Sequence, residues 1–545
     1  MAESLPPSVY AAFQQTAAAH PQNSFLCVPA QVKDSRAGRS YAPDGLELSY
    51  GAAALIVDDL VARYRSAGYG LGHRVGLLLE MRPEFFFHYL ALNALGCGIV
   101  PINPDYRHDE MLYQMQHSEA DLIVGVPHRV EDLKAVARER SEKPLPVFDC
   151  TALPEVFPAP QTKASVGSIR HETECTLLYT SGTTGRPKGC ILTNFYALTA
   201  GACYRDLGGL LTVKPGEDRF YNPLPLFHMN HAMVTATCAM LTANCLILTE
   251  RFSPTRWWQE VSQTRATIIH YLGIVPPLLL NQPVSEDEKR HCVRFGLGAG
   301  VEPQLHKTFE DRFGFPLVEV WGMTETGRIF SDCHEPRETD TRAFGRPFAG
   351  FEAMVAGPDG QELPRGQEGE LLVRHSAADP RRGFFSGYLK NDTATAEAWA
   401  GGWFHTGDVV RQSDSGMLYF VDRMKNIIRR SGENIAAAEI EACLQAHEAV
   451  AQVAVLAAPD ELREEEVMAC IVPMADHSAS AELAEQLFAW CFDRLAYFKA
   501  PGWLLFVDSL PTTGTQKVQK TQIFKAGEDP RQRPGIYDFR ARKKR

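Results

Sequence analysis

The chain has 545 residues and a formal net charge of -11. That is too long for one ordinary core and points to roughly three or four structural units, while the acidic balance argues against nucleic acid as a main partner. No apolar run approaches the ~18 residues of a membrane-spanning helix, so no integral membrane association is expected, and the first residues lack the basic start and apolar core of a secretory leader. Thirteen cysteines are scattered without a C-x-x-C pair, which fits free thiols in a reducing cytoplasm rather than a disulfide framework or a zinc site.

His73 to Leu79 reads as a buried strand. Pro83 stands where a first helical residue often stands, and Phe86, Tyr89, Leu90 and Ala94 recur at helical spacing. Gly96 and Gly98 close that helix and Ile99 to Ile102 begin a second strand, which makes a βαβ unit. The stretch Leu177 to Asn194, LLYTSGTTGRPKGCILTN, has the glycines, hydroxyls and lysine of a phosphate loop without the P-loop spacing. Pro187 biases Arg186 away from helix, the residues after Gly189 read as a short strand, and a helix starts near Phe195 with Asn194 as its N-cap. A strand-loop-strand of this kind wraps phosphates with backbone N–H groups and the hydroxyls of Thr180, Ser181, Thr183 and Thr184, with Lys188 as a mobile cation. The bland alternative is a solvated Gly/Thr hairpin. A second βαβ unit runs from the strand Cys245 to Thr249, through a helical stretch at Pro254 to Thr264, to the strand Ala266 to Tyr271.

Leu317 to Val320 reads as a strand that ends in Trp321-Gly-Met-Thr-Glu-Thr-Gly, where two hydroxyls flank Glu325. A strand end is where α/β proteins put ligands, and a carboxylate there suits Mg²⁺ bridging phosphate oxygens. Beyond residue 340, turn signals at Pro358-Asp-Gly, Pro364-Arg-Gly and Asp414-Ser-Gly mark a β-rich subdomain over about 346–422. Asp408 follows a glycine and suits two ribose hydroxyls. A boundary is expected near Arg423 to Asn426. A small α+β region follows, with a helix at Ala438 to Ala446, strands at Val450 to Ala457 and Val467 to Val472, and a helix from about Ala481 to Leu495. Lys517 lies in the flexible turn Leu510-Pro-Thr-Thr-Gly-Thr-Gln-Lys. Pro530 to Arg545 holds seven Lys/Arg against one acid, Asp538, and reads as a solvated, mobile basic tail.

In this order, from roughly residue 10 to 525, these segments resemble the adenylate-forming enzymes that include acyl-CoA synthetases, firefly luciferase and the adenylation domains of peptide synthetases. The resemblance implies an α/β fold. A large N-terminal AMP-binding domain over 1–424 would hold two βαβ-type subdomains plus the β-rich one. A small mobile α+β lid domain would span 425–526, and the basic tail 527–545. It implies ATP, Mg²⁺ and coenzyme A acting on a small carboxylic acid, through an acyl-adenylate and pyrophosphate and then a thioester and AMP. Thr180, Ser181, Gly182, Thr183, Thr184, Gly185 and Lys188 would hold the β- and γ-phosphates, Glu325 the magnesium ion and Thr324 the α-phosphate. Gly298, Ala299 and Gly300, with Trp321 and Gly322, would frame the adenine. Asp408 and Arg423 would bind the ribose, and Lys517 would bridge the substrate carboxylate and the α-phosphate. His228 would line the carboxylate entry, Lys425 would be the hinge of the small domain, and Gly432 would pack beside pantetheine in the second step.

The sequence departs from the family pattern at Ala436 and Ala437, where a Ser or Tyr and a Pro are usual, at Gln516 in place of glycine, and at Gly300 in place of a frequent proline. The acyl pocket is expected around His231, Tyr271, Val275, Val301 and Arg328. His231 and Arg328 would bind a second carboxylate or another polar group of the acid, or Arg328 would point to solvent or pair with a neighbouring acid. The segments at Glu250 to Trp258, Phe384 to Tyr388 and Phe420 to Arg423 look like the crotonobetaine/carnitine-CoA ligase branch. The alternatives are a stand-alone adenylation enzyme serving a carrier protein, although no Leu-Gly-Gly-x-Ser-Leu segment follows, and a nucleotide-binding pseudoenzyme. A monomer or homodimer is expected.

Overall fold

The computed structural model describes residues 5–30, 42–140, 145–180, 187–430, 433–461, 463–513, 518–525 and 528–543. It divides into two compact units, Met1–Glu352 with Arg374–Gly402, and Ala353–Val373 with Trp403–Arg545. Among the described residues no helix is long and apolar enough to cross a membrane.

The first unit carries two large sheets. One has the spatial order Gly387–Tyr388, Lys188–Thr193, Glu174–Thr180, Gly98–Pro101, Arg74–Leu78, Leu122–Gly125, Val147–Asp149. The first βαβ unit is present as read: Arg74–Leu78 lies parallel to Gly98–Pro101, joined by the helix Pro83–Asn93 with proline in its first turn. The phosphate-loop candidate is an antiparallel hairpin, Glu174–Thr180 against Lys188–Thr193. The helix after it runs Asn194–Arg205, and its N-cap is Thr193, whose hydroxyl accepts the Tyr196 N–H. Asn194 serves distant segments instead. It is fully buried, and its Oδ1 accepts from the Val9 N–H at 3.2 Å and Asn93 Nδ2 at 2.9 Å. An amide satisfied in this way looks in sequence like a local cap.

The second sheet has the order Ile329–Ser331, Leu317–Gly322, Phe295–Ala299, Ile268–Leu272, Arg219–Tyr221, Cys245–Ile247, Ser24–Val28, Leu46–Ser49. The two strands of the second βαβ unit are parallel but not neighbours. Arg219–Tyr221 lies between them, paired to both. Three residues are too short for a periodic signal.

In the second unit, Leu418–Arg423, Phe404–Gln412, Glu368–Arg374 and Glu352–Ala356 follow one another in a sheet, with Phe404–Gln412 antiparallel to both of its neighbours. Burial alternates residue by residue along Phe404–Gln412, as a one-sided sheet requires. The following sheet joins Glu433–Ala436, Ile427–Arg430, Glu464–Pro473, Trp503–Phe506 and Ile536–Asp538, with Val450–Asp460 also on Glu464–Pro473. The helices Ala437–Gln445 and Ala481–Arg494 contribute Ile440, Leu444, Leu487 and Phe488 to a core with Val455, Ile471 and Leu504. Leu418–Arg423 pairs with Phe404–Gln412, and Asp422 accepts a hydrogen bond from the Ala438 N–H.

The solvated-tail reading is corrected. Ile536–Asp538 is a strand antiparallel to Trp503–Phe506, and Phe539 is 4% exposed in the same core. The tail's cations meet acids distant in sequence: Arg531 meets Glu461, Arg540 meets Asp460, Arg542 meets Glu485 and Lys543 meets Glu466. The charge run hid the apolar Ile536, Tyr537 and Phe539, and its counter-charges lie far away along the chain.

Candidate active site

The hairpin register ends on the pair Thr180 and Lys188, which bound the loop between them. Ser181, Gly182, Thr183, Thr184 and Gly185 lie outside the described residues. Tyr113 holds the loop exit by donating its hydroxyl to the Pro187 carbonyl at 2.9 Å. The Lys188 ammonium sits 4.7 Å from the centroid of the Tyr388 ring. The same tyrosine donates its hydroxyl to Glu325 Oε1 at 2.8 Å. Tyr388 is brought there by backbone pairing with Cys190, in the strand that begins at Lys188. One side chain therefore links the loop lysine to the acidic residue more than a hundred positions downstream. Sequence reasoning missed Tyr388, because a Gly-Tyr pair after an aromatic run carries no chemical signal.

The loop carrying Glu325 is fixed from below. Tyr196 donates its hydroxyl to the Thr324 carbonyl at 2.7 Å. Gly327 has a φ of +63°, and a Cβ on it would stand 2.6 Å from the Tyr196 ring, so glycine is required twice over. Glu325 is 6% exposed. Burial keeps the neighbouring Cys190 thiol protonated, its pKa pushed far up, so the donor offered is carboxylate oxygen rather than sulfur. Oxygen donors suit Mg²⁺, which binds through one or two carboxylates plus substrate phosphates. Glu325 fits that role, and among the described residues no group of three or more His, Cys, Asp or Glu forms a protein-only cage.

On the adenine side, Gly298 and Ala299 end the strand Phe295–Ala299 and Gly300 follows at φ +86°. A proline, locked near -65°, cannot adopt that conformation, so this turn differs in geometry from one carrying the usual proline. Half-buried Glu319 holds the turn. Its Oε2 accepts from the Gly300 N–H at 2.8 Å, and its Oε1 accepts from the Val301 N–H at 3.3 Å and the Tyr271 hydroxyl at 2.8 Å. Burial raises the Glu319 pKa above the ordinary carboxylate value. Trp321 is 6% exposed and stacks on Phe330 at 5.6 Å, and Gly322 ends its strand.

Tyr271, Val275 and Val301 join one hydrophobic cluster with Trp257 and Phe309. His228 is half-buried and its carbonyl accepts from the Ala232 N–H, at the entry to a π-helical turn over Asn230–Thr235. His231, inside that turn, is fully buried. Its Nδ1 donates to the Leu224 carbonyl at 2.8 Å, and its Nε2 has no hydrogen-bond partner among the described residues. Burial lowers its pKa to about 4, so it is a neutral ring at pH 7 and offers no positive charge to a second carboxylate. Nearby, His270 Nδ1 contacts Asn230 Oδ1 at 3.1 Å, and that oxygen accepts from Asn222 Nδ2 at 2.8 Å. This polar network was not legible in the sequence.

Buried His231 also makes stability depend on pH. Between about pH 4 and 6.5 the unfolded chain protonates His231 while the folded chain does not, so stability falls as pH falls through this window. At pH 5 the loss is on the order of 2 kcal/mol. Melting temperatures at pH 7 and pH 5 should differ less in His231→Asn than in the unchanged protein, and equal differences in the two proteins would contradict the assignment.

Arg328 is 6% exposed, donates from Nη2 to the Arg382 carbonyl at 2.8 Å and lies 5.6 Å from the Phe384 ring centroid. Its Nη1 is buried without a hydrogen-bond partner among the described residues. It neither points to solvent nor makes an ion pair with an acid among them. Burial lowers its pKa to about 10, which leaves it charged at pH 7.

In the second unit, Asp408 and Arg423 face each other across two strands, with Nε to Oδ1 at 3.2 Å, and Asp408 is 2% exposed. Burial, with Arg423 and Lys520 nearby, lowers the Lys425 pKa. Asp422 accepts from the Ala438 N–H at 2.8 Å and from Asn426 Nδ2 at 3.1 Å, so it caps the helix Ala437–Gln445 from across the hinge segment. That cap explains how the helix starts without the usual proline. Gly432 and Lys517 lie outside the described residues, although Thr512 and Val518, on either side of the lysine turn, pair with each other.

Residues 13–389 match the family described as AMP-binding enzyme, and 439–517 match the AMP-binding enzyme C-terminal domain. The chain is 30% identical over 479 residues to the crotonobetaine/carnitine–CoA ligase of Proteus mirabilis, with 84% of this chain and 90% of that one covered. It is 31% identical over 493 residues to the sulfoacetate–CoA ligase of Cupriavidus necator, with 88% and 93% covered. The fold is shared with the anthranilate CoA ligase AuaEII solved with anthranoyl-AMP, at a TM-score of 0.80, 21% identity and 96% and 98% coverage. It is shared too with the Bacillus subtilis o-succinylbenzoate CoA synthetase solved with ATP and magnesium, at 0.77, 23%, and 95% and 99%. With family matches over both the large and the small domain, and the hairpin lysine and strand-end glutamate joined through Tyr388, this chain belongs to the AMP-binding enzyme family.

Proposed function

We propose that this protein activates a small carboxylic acid bearing a second anionic group. The chain is an AMP-forming acid–CoA ligase: the carboxylate attacks the α-phosphate of ATP, pyrophosphate leaves, and the CoA thiol then displaces AMP from the acyl-adenylate. The observation that carries this reading is the linkage Lys188, Tyr388, Glu325, which joins a phosphate-loop cation to a metal-binding carboxylate.

A carboxylate attacking a phosphate meets like charge, so the site must neutralise both partners and hold them in line. Lys188 and the hairpin loop take the leaving phosphates. A magnesium ion, when bound through Glu325, supplies charge neutralisation at the phosphate oxygens. Thr324 receives the α-phosphate, and Gly298 to Gly300, Trp321 and Gly322 frame the adenine. Asp408 and Arg423 hold the ribose, and Lys517 bridges carboxylate and α-phosphate. His228 lines the entry, with Tyr271, Val275 and Val301 behind the acyl group. Rotation about Lys425 removes Lys517 and brings in Gly432 for the thioester step, a motion of the gating kind. A cytoplasmic setting suits a reaction fed by ATP and CoA, and the cysteines of the chain are free thiols.

Arg328 supplies the substrate class. Its buried guanidinium makes no ion pair with a carboxylate among the described residues, Asp379 acting on it only from a distance, which is costly unless a ligand neutralises it, and it would repel the quaternary ammonium of a betaine. AMP release with and without CoA across aliphatic, aromatic, betaine, dicarboxylic and sulfonated carboxylic acids tests this. The expected result is CoA-dependent AMP release that favours an acid with a second anionic group. Arg328→Met should reduce that preference by about tenfold to a hundredfold, the scale of one charged hydrogen bond. A betaine as the best substrate, or a preference untouched by the substitution, would sink the assignment.

A further inference from the structure

The helices Ala437–Gln445 and Ala481–Arg494 each bring one cysteine to the seam between them. Cys443 is half-buried and packs against the core cluster that holds Cys491, which is 0% exposed. The Cys491 thiol donates a hydrogen bond to the Cys443 sulfur. The residue before Cys491 ties the helices together at the same level, because Trp490 Nε1 donates to the Cys443 carbonyl at 2.8 Å. With the two thiols already in contact and the helices held there, closing an S–S bond calls for side-chain rotation rather than helix movement.

Packing alone does not account for the pair. Burial pushes the thiols of Cys97, Cys175 and Cys470 up to about 12, which keeps them protonated and inert. Cys443 goes the other way. The hydrogen bond from Cys491 holds its pKa below the ordinary thiol value, against burial and Glu439, and Arg494 adds to the effect. The Arg494 guanidinium lies 3.3 Å from the centroid of the Trp490 ring, and Glu439 is itself paired to Lys499 at 2.6 Å. The same hydrogen bond, with burial, raises the pKa of Cys491. An accessible sulfur with thiolate character therefore stands beside a buried thiol, the arrangement of an attacking and a resolving cysteine.

We propose that Cys443 and Cys491 form a peroxide-reactive dithiol that closes into a disulfide between the two helices, Cys443 attacking and Cys491 resolving. The Cys443 sulfur attacks one oxygen of hydrogen peroxide, the O–O bond breaks, and the departing hydroxide takes up the proton that Cys443 released and leaves as water. Cys443 is then a sulfenic acid. The Cys491 sulfur attacks the Cys443 sulfur, the S–O bond breaks, and the hydroxide leaves as a second water with the Cys491 proton. The two sulfurs lose two electrons in all and the peroxide oxygens gain them. A dithiol reductant reverses the change by thiol–disulfide exchange. The inference goes beyond the ligase reading and does not depend on it.

The test treats the full chain, reduced and then freed of reductant, with an equimolar amount of hydrogen peroxide and maps its cysteines by peptide mass. The expected product is a peptide pair joining Cys443 to Cys491, lighter by two hydrogens, formed before the exposed Cys292 is oxidised and lost again with dithiothreitol. In Cys491→Ala, dimedone should label Cys443 about tenfold more than in the unchanged protein, because no second thiol removes the sulfenic acid. In Cys443→Ala, Cys491 should stay unlabelled. Oxidation of Cys292 first, labelling of Cys491 in place of Cys443, or no Cys443–Cys491 cross-link in the unchanged protein overturns the proposal. The cross-link is read in the unchanged chain, so the proposal can fail even where a variant does not fold.

Discussion

Replacing Glu325 by Gln should lower acid-dependent AMP formation by about a hundredfold to a thousandfold without unfolding the protein, the range found when one electrostatic partner of a developing charge is removed. Glutamine keeps the shape and still offers an oxygen to the Tyr388 hydroxyl, so the 2.8 Å hydrogen bond survives in kind. What disappears is the negative charge that a divalent cation needs from the protein. A magnesium titration should show a higher requirement, with part of the activity regained at high concentration, while the melting temperature stays near that of the unchanged protein. Tyr388→Phe is the companion measurement. It removes the hydroxyl that aims Glu325 but leaves the ring under Lys188, so its loss should be nearer tenfold. Near-normal AMP formation by Glu325→Gln would remove this residue from the metal site. A Tyr388→Phe loss as large as that of Glu325→Gln would mean that the hydroxyl meets the reacting groups directly.

Lys517→Ala should separate the half-reactions. One preorganised donor aimed at developing charge is typically worth ~3 kcal/mol, which is a loss of about a hundredfold or more in adenylation. On the proposed bridging role the lysine is not needed once acyl-AMP exists, so transfer from supplied acyl-AMP to CoA should proceed at an unchanged rate. Thr512 and Val518, on either side of the lysine segment, pair with each other. Equal damage to both steps would count against the bridging role and point to a general loss of the small domain's structure.

Glu325, Lys188, Asp408, Arg423 and Lys517 could be singled out as candidates from the sequence because each sits in a short segment whose residue types and order are specific. The first βαβ unit was legible because its strand is apolar, its helix has a clear period, and proline and glycines mark its ends. Tyr388, Glu319, Asp422 and the true role of Asn194 were not. Each acts on a partner that only the tertiary structure brings near: Tyr388 on Glu325, Glu319 on the Gly300 turn, Asp422 on the helix beyond the hinge, Asn194 on Val9 and Asn93. A tyrosine or an asparagine carries no mark in sequence of which distant backbone or carboxylate it will satisfy.

Charge was the least legible quantity. His231 and Arg328 read alike as polar residues near a pocket, yet burial leaves the histidine neutral, and the arginine charged without an ion pair among the described residues. The basic segment at the C-terminus read as solvated because all of its cations are visible at once in the sequence, while Glu461, Asp460, Glu485 and Glu466 lie roughly fifty to eighty residues before it. The amino-acid sequence by itself determined the family and the α/β layering, because these depend on local periodicity and on residue types at short spacing. The tertiary structure alone decided which charges are paired, which are neutralised by burial and which strand the tail completes, because desolvation and Coulomb energy depend on distances that the linear chain does not contain.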